Sequence, residues 1–222
     1  MTTQVAPTNP PLALAEALAG RLCHDLAGMV GTVMGALELA RDDETMRDEA
    51  LPMAAEAATS LGRRLGLMRA AWGGEGCQMK GQDLRALAAG LPGGRRVRVA
   101  LDGLVPERDY TASTARLLLN LLLLAVESLA GEGTVALVAA SQTSLVLSIE
   151  GPRATWPTGF AGLLSDHALA QQAAANCVPR LLQGPLTALI AHAGTDRISI
   201  LFGSETQVAA PLLIEMAPAP TG

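Results

Sequence analysis

His24 and Asp25 are adjacent residues of types that serve acid–base and nucleophilic chemistry, and they lie in a segment with helical periodicity. Apolar residues recur there at steps of three and four, which predicts an amphipathic helix from Pro11 to Arg41. At about 100° per residue, with Leu22 at zero, the apolar residues cluster within roughly 80° of zero and His24 falls near about 200°. We therefore expect an exposed imidazole opposite a buried stripe. The stripe consists of Leu14, Leu18, Leu22, Leu26, Met29, Val33, Leu37 and Ala40.

Small residues surround His24 on the same predicted face, four of them glycines. Glycine destabilises a helix by about 1 kcal/mol per position relative to alanine, so four glycines on one face need a physical reason. One reason is close approach of another protein to the imidazole, and the alternative is tight helix packing within a bundle. The predicted docking surface consists of Gly20, Arg21, Ala27, Gly28, Gly31 and Gly35, and Arg21 and Glu38 are expected to be exposed.

The composition excludes several classes of protein. Half of the 222 residues are apolar but only 2% are aromatic, which predicts a folded chain with an aliphatic core. The net charge of −5 does not favour nucleic acid or an anionic membrane as a partner. Cys23, Cys77 and Cys177 are too far apart for a metal knuckle or a redox pair. With no signal-peptide pattern and no apolar run long enough to span a bilayer, we expect a cytoplasmic protein.

The hydrophobic patterns predict two units of different class. A helical hairpin is expected over residues 11–74, with a second helix from Thr45 to Trp72 capped by Asp42 or Asp43. Since one hairpin leaves its apolar stripes half covered, we expect a homodimer that forms a four-helix bundle. Residues 80–217 are expected to form a two-layer α/β sandwich. Its predicted helices are 83–91, 111–130 with Thr111 or Ser113 as cap, 165–175 and 179–193 interrupted by Gly184-Pro185, and its predicted strands are 95–101, 135–140, 144–150, 197–202 and 207–216.

The run Leu22-Cys-His-Asp-Leu26, with Gly31 and Leu37-Glu-Leu39, resembles the phosphoacceptor helix of ChpT-type histidine phosphotransferases of alphaproteobacteria. The segment from Arg64 to Gly73 is similar to the end of that family's second helix. The sequence departs from the family at Gly28-Met29, where Ser-Pro is usual.

The α/β region resembles the ATP-binding domain of a histidine kinase in outline but lacks its ligands. Leu124 stands where a kinase has the asparagine that holds Mg²⁺, and Ile149 stands where a kinase has the aspartate that contacts adenine. Gln183-Gly184-Pro185-Leu186 does not supply the free backbone N–H groups of a phosphate-binding lid. The resemblance therefore implies a degenerate domain without bound nucleotide, kept as a scaffold.

The resemblance implies that His24 is a phosphoacceptor, with Asp25 accepting a proton or orienting the ring. The chain would carry a phosphoryl group between receiver-domain aspartates of a hybrid histidine kinase and of response regulators in a phosphorelay. It would need no cofactor of its own, because Mg²⁺ would come from the receiver domain. Two alternatives stay open, an ATP-dependent histidine kinase with a divergent nucleotide site and a non-catalytic adaptor that binds receivers.

Overall fold

A computed structural model describes residues 10–74, 76–94, 96–201 and 209–217 of the chain. It begins with a helical hairpin of α1 (Pro10–Asp42) and α2 (Arg47–Trp72). The predicted cap is wrong: α2 begins after Met46 without a side-chain cap. Asp43 instead stabilises the turn, where its Oδ1 accepts hydrogen bonds from the backbone N–H of Thr45 at 2.9 Å and from its hydroxyl at 2.6 Å.

Four alanines are buried where the two helices of the hairpin pack near its turn. Ala36 and Ala40 of α1 and Ala50 and Ala54 of α2 are all buried, since their small side chains let two helices approach closely. Leu37, which the periodicity places on the buried stripe of α1, is exposed instead, and so are Met53 and Leu65 of α2. A single hairpin therefore leaves apolar side chains in contact with solvent.

The rest of the described chain is an α/β unit. Its elements in order are β1 (Met79–Lys80), α3 (Gly81–Ala88), β2 (Val97–Ala100), β3 (Asp109–Tyr110), α4 (Ala112–Glu127), β4 (Gly133–Ala139), β5 (Ser144–Glu150), α5 (Phe160–Ser165), α6 (His167–Asn176), a 3-10 turn (Pro179–Leu181), α7 (Gln183–Ala193), β6 (Arg197–Ile200) and β7 (Leu212–Glu215).

Five strands form one sheet in the order β2-β4-β5-β7-β6, in which only β2 and β4 pair in parallel. The strands predicted over 135–140 and 144–150 are the antiparallel pair β4 and β5, with Leu137 opposite Leu147. Alternate residues of β5 are buried, as expected when helices cover one face of a sheet. The core between the sheet and the helices is largely aliphatic, and α4 supplies seven buried leucines to it, Leu117 to Leu119 and Leu121 to Leu124. The expected two-layer α/β arrangement is thus confirmed.

Several predicted boundaries differ from the structure. α3 ends at Ala88, and the helix predicted over 165–175 is α6, which begins at His167 after the N-cap residue Asp166. The short helix α5 is not among the predicted elements. Gly184-Pro185 does not interrupt a helix but lies in the first turn of α7, where a proline is tolerated because the first backbone N–H groups have no helical acceptor. The two-residue strands β1 and β3 were not predicted. Phe202 and residues 207–208 lie outside the described residues.

The N-cap of α4 is the predicted one: the Thr111 hydroxyl accepts a hydrogen bond from the backbone N–H of Thr114 at 3.1 Å. α4 also joins the α/β unit to the hairpin through Asn120, which is fully buried. The Asn120 amide donates hydrogen bonds to the carbonyl oxygens of Ala71 and Arg116, both at 2.9 Å. Its oxygen accepts from Trp72 Nε1 at 3.1 Å and from Gln183 Nε2 at 3.0 Å.

Candidate functional site around His24

The side chain of His24 is 86% exposed at the middle of α1, in agreement with its predicted place on the helix. Its Nδ1 lies 3.4 Å from Oδ1 of Asp25. A carboxylate beside Nδ1 favours the tautomer with a proton on that nitrogen, which leaves a lone pair on Nε2. The arrangement therefore leaves Nε2 as the ring nitrogen with a free lone pair on an exposed side chain.

The second oxygen of Asp25 faces two arginines. Nη2 of Arg64, on α2, donates a hydrogen bond to Oδ2 at 3.2 Å, and Nε of Arg21 lies 3.8 Å from the same oxygen. Arg64 also donates from Nη1 to the carbonyl oxygen of Gly90 at 3.3 Å. Asp25 is thus held between the imidazole on one side and guanidinium groups on the other.

Arg21 is not an exposed residue of the docking surface, and that prediction is wrong. Only 7% of its side chain is exposed, and it pairs with Glu127 of α4. Its guanidinium carbon also lies 5.8 Å from the centre of the Trp72 ring. On the helical wheel Arg21 falls at about 260°, about 20° from Leu14 on the edge of the apolar stripe. The α/β unit packs against that edge and buries it.

Burial dominates the electrostatics of the site. It raises the pKa of Glu127 above its ordinary value, while the positive charge of Arg21 opposes the change. It lowers the pKa of Arg64, and the negative charge of Asp25 opposes that change. These opposite directions have one cause, since a medium of low dielectric constant disfavours the charged form of either group.

Grooves on both sides of His24 lead to the imidazole. One, of about 640 Å³, is lined by Gly20, Arg21, His24, Asp25, Arg64, Pro92, Glu127, Val178, Pro179 and Arg180. The other, of about 520 Å³, is lined by His24, Asp25, Gly28, Met29, Ser60, Arg64, Ala89, Gly90, Leu91, Pro92 and Gly93. Both the hairpin and the α/β unit therefore border the histidine.

The predicted small residues differ in what surrounds them. Ala27, Gly28, Gly31 and Gly35 are exposed, and a Cβ added to any of these three glycines would have no neighbour within 4 Å among the described residues. A Cβ on Gly20 would lie 3.4 Å from the Pro179 side chain. Within one chain, the glycines after His24 therefore border open space rather than a packed helix. α1 continues without a break through Gly28 and Met29.

Sequence reasoning did not assign Arg64 or Glu127 to the site, although both carry a signal. Arg64 lies three residues after Leu61 and four before Met68, on the apolar face of α2. Glu127 and Asn120 are polar residues within the apolar run of α4. A polar residue in a buried stripe requires a partner, so such positions indicate contacts between elements.

The residues that the resemblance places at the nucleotide ligands of a kinase are packed side chains in the structure. Leu124 and Ile149 are each 1% exposed, and Gln183 forms hydrogen bonds within the core. Among the described residues no group of three or more histidine, cysteine or acidic side chains could hold a metal ion. In the same part of the chain no helix is long and apolar enough to cross a membrane.

Solved structures include similar folds. A structure described as a bacterial phosphotransferase aligns over 96% of this chain and 98% of its own, with a TM-score of 0.66 at 21% identity. Histidine kinase AdeS of Acinetobacter baumannii aligns over 87% of this chain and 97% of its own, with a TM-score of 0.39 at 12% identity. A histidine kinase of Burkholderia phymatum STM815 aligns over 96% of this chain and 98% of its own, with a TM-score of 0.36 at 16% identity. No curated protein sequence matches the chain.

The sequence of the α/β unit identifies the family. Residues 81–205 match the model of the histidine phosphotransferase C-terminal domain, which covers more than half of the chain. The structure that aligns at a TM-score of 0.66 shares its fold with this chain along nearly the full length. This chain belongs to the histidine phosphotransferase family.

Proposed function

We propose that this phosphotransferase carries a phosphoryl group on His24 between receiver-domain aspartates of a hybrid histidine kinase and of response regulators. The observation that carries the proposal is the 86% exposed imidazole between two grooves, with Asp25 at its Nδ1. An exposed nucleophile on a long helix suits a partner that brings its own reactive group, because the helix fixes the position of the attacking nitrogen.

In the forward step Nε2 of His24 attacks the phosphorus of a receiver's aspartyl phosphate. The N–P bond forms, the bond between phosphorus and the aspartate oxygen breaks, and the carboxylate leaves with the electron pair. Asp25 stabilises the proton on Nδ1 while positive charge develops on the ring. Delivery to a second receiver is the reverse of this step. The receiver would supply Mg²⁺, which neutralises phosphoryl charge when bound there.

We infer that the chain does not use ATP as its phosphoryl donor. The side chains at the kinase ligand positions, Leu124 and Ile149, are buried hydrocarbons that offer no oxygen to Mg²⁺ or adenine. The α/β unit can retain its fold without nucleotide because its aliphatic core holds it together.

A homodimer is the second part of the proposal. Val30, Met34 and Leu37 lie on one face of α1 and are 41%, 55% and 48% exposed. Leu51 and Met53 near the start of α2 are also exposed. A second hairpin packed on these residues would form a four-helix bundle and remove them from water.

Phosphoryl transfer from purified receiver domains charged with acetyl phosphate and Mg²⁺ tests the proposal. Wild type and His24→Gln are compared with His167→Gln, which removes an exposed histidine on α6. We expect wild type and His167→Gln to accept the phosphoryl group from the receiver, and His24→Gln not to accept it. Phosphorylation of the chain by ATP alone would instead support a histidine kinase. Receiver binding without any transfer would support an adaptor.

A further inference from the structure

We propose that Glu127 is a positioning residue for His24, because its carboxylate holds the Arg21 guanidinium away from Asp25 and so leaves Asp25 available to the imidazole. The inference rests on the proposed function of His24. It assigns the α/β unit a part in the chemistry, since Glu127 ends α4 while His24, Asp25 and Arg21 belong to α1.

The contacts of Arg21 show that it is held by one carboxylate and close to another. Its Nη2 pairs with Oε1 of Glu127, and its Nε lies 3.8 Å from Oδ2 of Asp25, beyond hydrogen-bond distance. Nε and Nη1 have no hydrogen-bond partner in the described part of the chain. Arg21 therefore has free donors directed to a region where Asp25 is the other nearby carboxylate.

The two oxygens of Asp25 have separate partners in this arrangement. Oδ2 accepts the hydrogen bond of Arg64, and Oδ1 lies beside Nδ1 of His24. A carboxylate paired with one arginine still attracts the imidazole proton, whereas a carboxylate paired with two has most of its charge neutralised. Glu127 keeps the number of arginines hydrogen-bonded to Asp25 at one, with Arg21 no closer than the 3.8 Å of an ion pair.

Loss of the Glu127 charge would change that balance. A buried guanidinium without a counter-charge is unfavourable, so Arg21 would turn toward Asp25. In the described part of the chain, the other charged or titratable groups beside this cluster are Arg64 from α2, Arg180 from the 3-10 turn and Cys177 after α6. None of these is a carboxylate that could replace Glu127.

The test uses Glu127→Gln, which keeps the size of the side chain and removes its charge. Glu107→Gln is the matched control, because Glu107 pairs with Lys80 at the surface. The rate of phosphoryl transfer from a charged receiver, the affinity of that receiver, and the ¹⁵N chemical shifts of the His24 ring nitrogens are measured for each. Thermal melts establish that each variant is folded.

We expect Glu127→Gln to slow transfer about tenfold, the loss expected for one charge-assisted hydrogen bond, with receiver affinity unchanged. The His24 shifts should move away from the Nδ1–H tautomer. The double variant Arg21→Met/Glu127→Gln should recover both transfer and shifts, since the competing cation is absent. Glu107→Gln should resemble wild type.

Three results would overturn the inference: wild-type transfer in Glu127→Gln, slow transfer with unchanged His24 shifts, or no recovery in the double variant. Failure of the proposed function gives a different result. Wild type would then accept no phosphoryl group from any receiver, and the His24 shifts of the four proteins would still decide whether Glu127 positions Asp25.

Discussion

Arg64 reaches from α2 to α1 and donates a hydrogen bond from Nη2 to Oδ2 of Asp25 at 3.2 Å. The same side chain bonds the carbonyl oxygen of Gly90, after α3, and only 7% of the residue is exposed. One guanidinium thus connects both helices of the hairpin and the start of the α/β unit. Its charge supports the carboxylate that lies next to His24.

Replacement of Arg64 by lysine should therefore slow phosphoryl transfer. A lysine has one ammonium group and does not reproduce the two directed contacts of the guanidinium fork. We expect transfer to fall about tenfold and the free energy of unfolding to fall by about 1.5–3 kcal/mol. Transfer assays and denaturant titrations measure the two effects. Arg63→Lys, at the exposed neighbouring position, is the control, and equal transfer rates in both variants would contradict the role of Arg64.

Substitution of Gly28 should increase the stability of the protein and weaken its binding to a receiver. Replacement by leucine should raise the free energy of unfolding by about 0.8 kcal/mol, because leucine is the better helix former and the position borders open space. Gly62→Leu on α2, also exposed and open, should give a similar gain. Only Gly28→Leu should weaken receiver binding in a titration. Equal affinities in both variants would remove Gly28 from the docking surface.

A charge on the exposed apolar face of α1 should dissociate the proposed homodimer. Leu37→Glu would place a carboxylate in the bundle interface, where burial of an unpaired charge is strongly unfavourable. Light scattering after size exclusion should show the mass of one chain, whereas Leu169→Glu on α6 should remain a dimer. Wild type that is monomeric over the whole concentration range would refute the four-helix bundle.

Asn120→Ala should destabilise the whole molecule. The amide oxygen of Asn120 accepts the indole N–H of Trp72, which would lose its partner. The Ala71 carbonyl would keep Arg116 Nε at 3.2 Å, and Gln183 Nε2 would keep the backbone carbonyl of residue 120 at 3.2 Å. One unsatisfied buried group costs about 1–3 kcal/mol, so we expect a loss of about 2 kcal/mol in unfolding free energy. Asn176→Ala, on the exposed end of α6, should change it by less than about 0.5 kcal/mol in the same denaturant titration.

The three thiols should react at different rates. Cys23 and Cys77 are exposed, whereas Cys177 is half-buried and burial raises its pKa above the ordinary 9.0. A raised pKa leaves less thiolate, which is the reactive form, at mildly alkaline pH. Alkylation followed by mass spectrometry should label Cys177 last in the folded protein. Equal rates for all three residues would contradict the burial of Cys177.

The sequence predicts the elements with clear periodicity and the exposed face of α1. His24 could be placed because its position follows from the stripe of its own helix. The partners of Asp25 and Arg21 could not be placed, since Arg64, which binds Asp25, and Glu127, which binds Arg21, come from two other helices whose contact depends on tertiary packing. Arg21 shows the same limit: its helical angle lies at the border of the stripe, and the α/β unit decides whether such a residue is buried.

The exposure of His24 has a kinetic consequence for the proposed relay. The two grooves converge on one imidazole, so a phosphorylated donor and an unphosphorylated acceptor require the same nitrogen and exclude each other. Transfer then proceeds through a free, phosphorylated form of this chain, with double-displacement kinetics. The lifetime of phosphohistidine in water sets how long that form can wait for an acceptor.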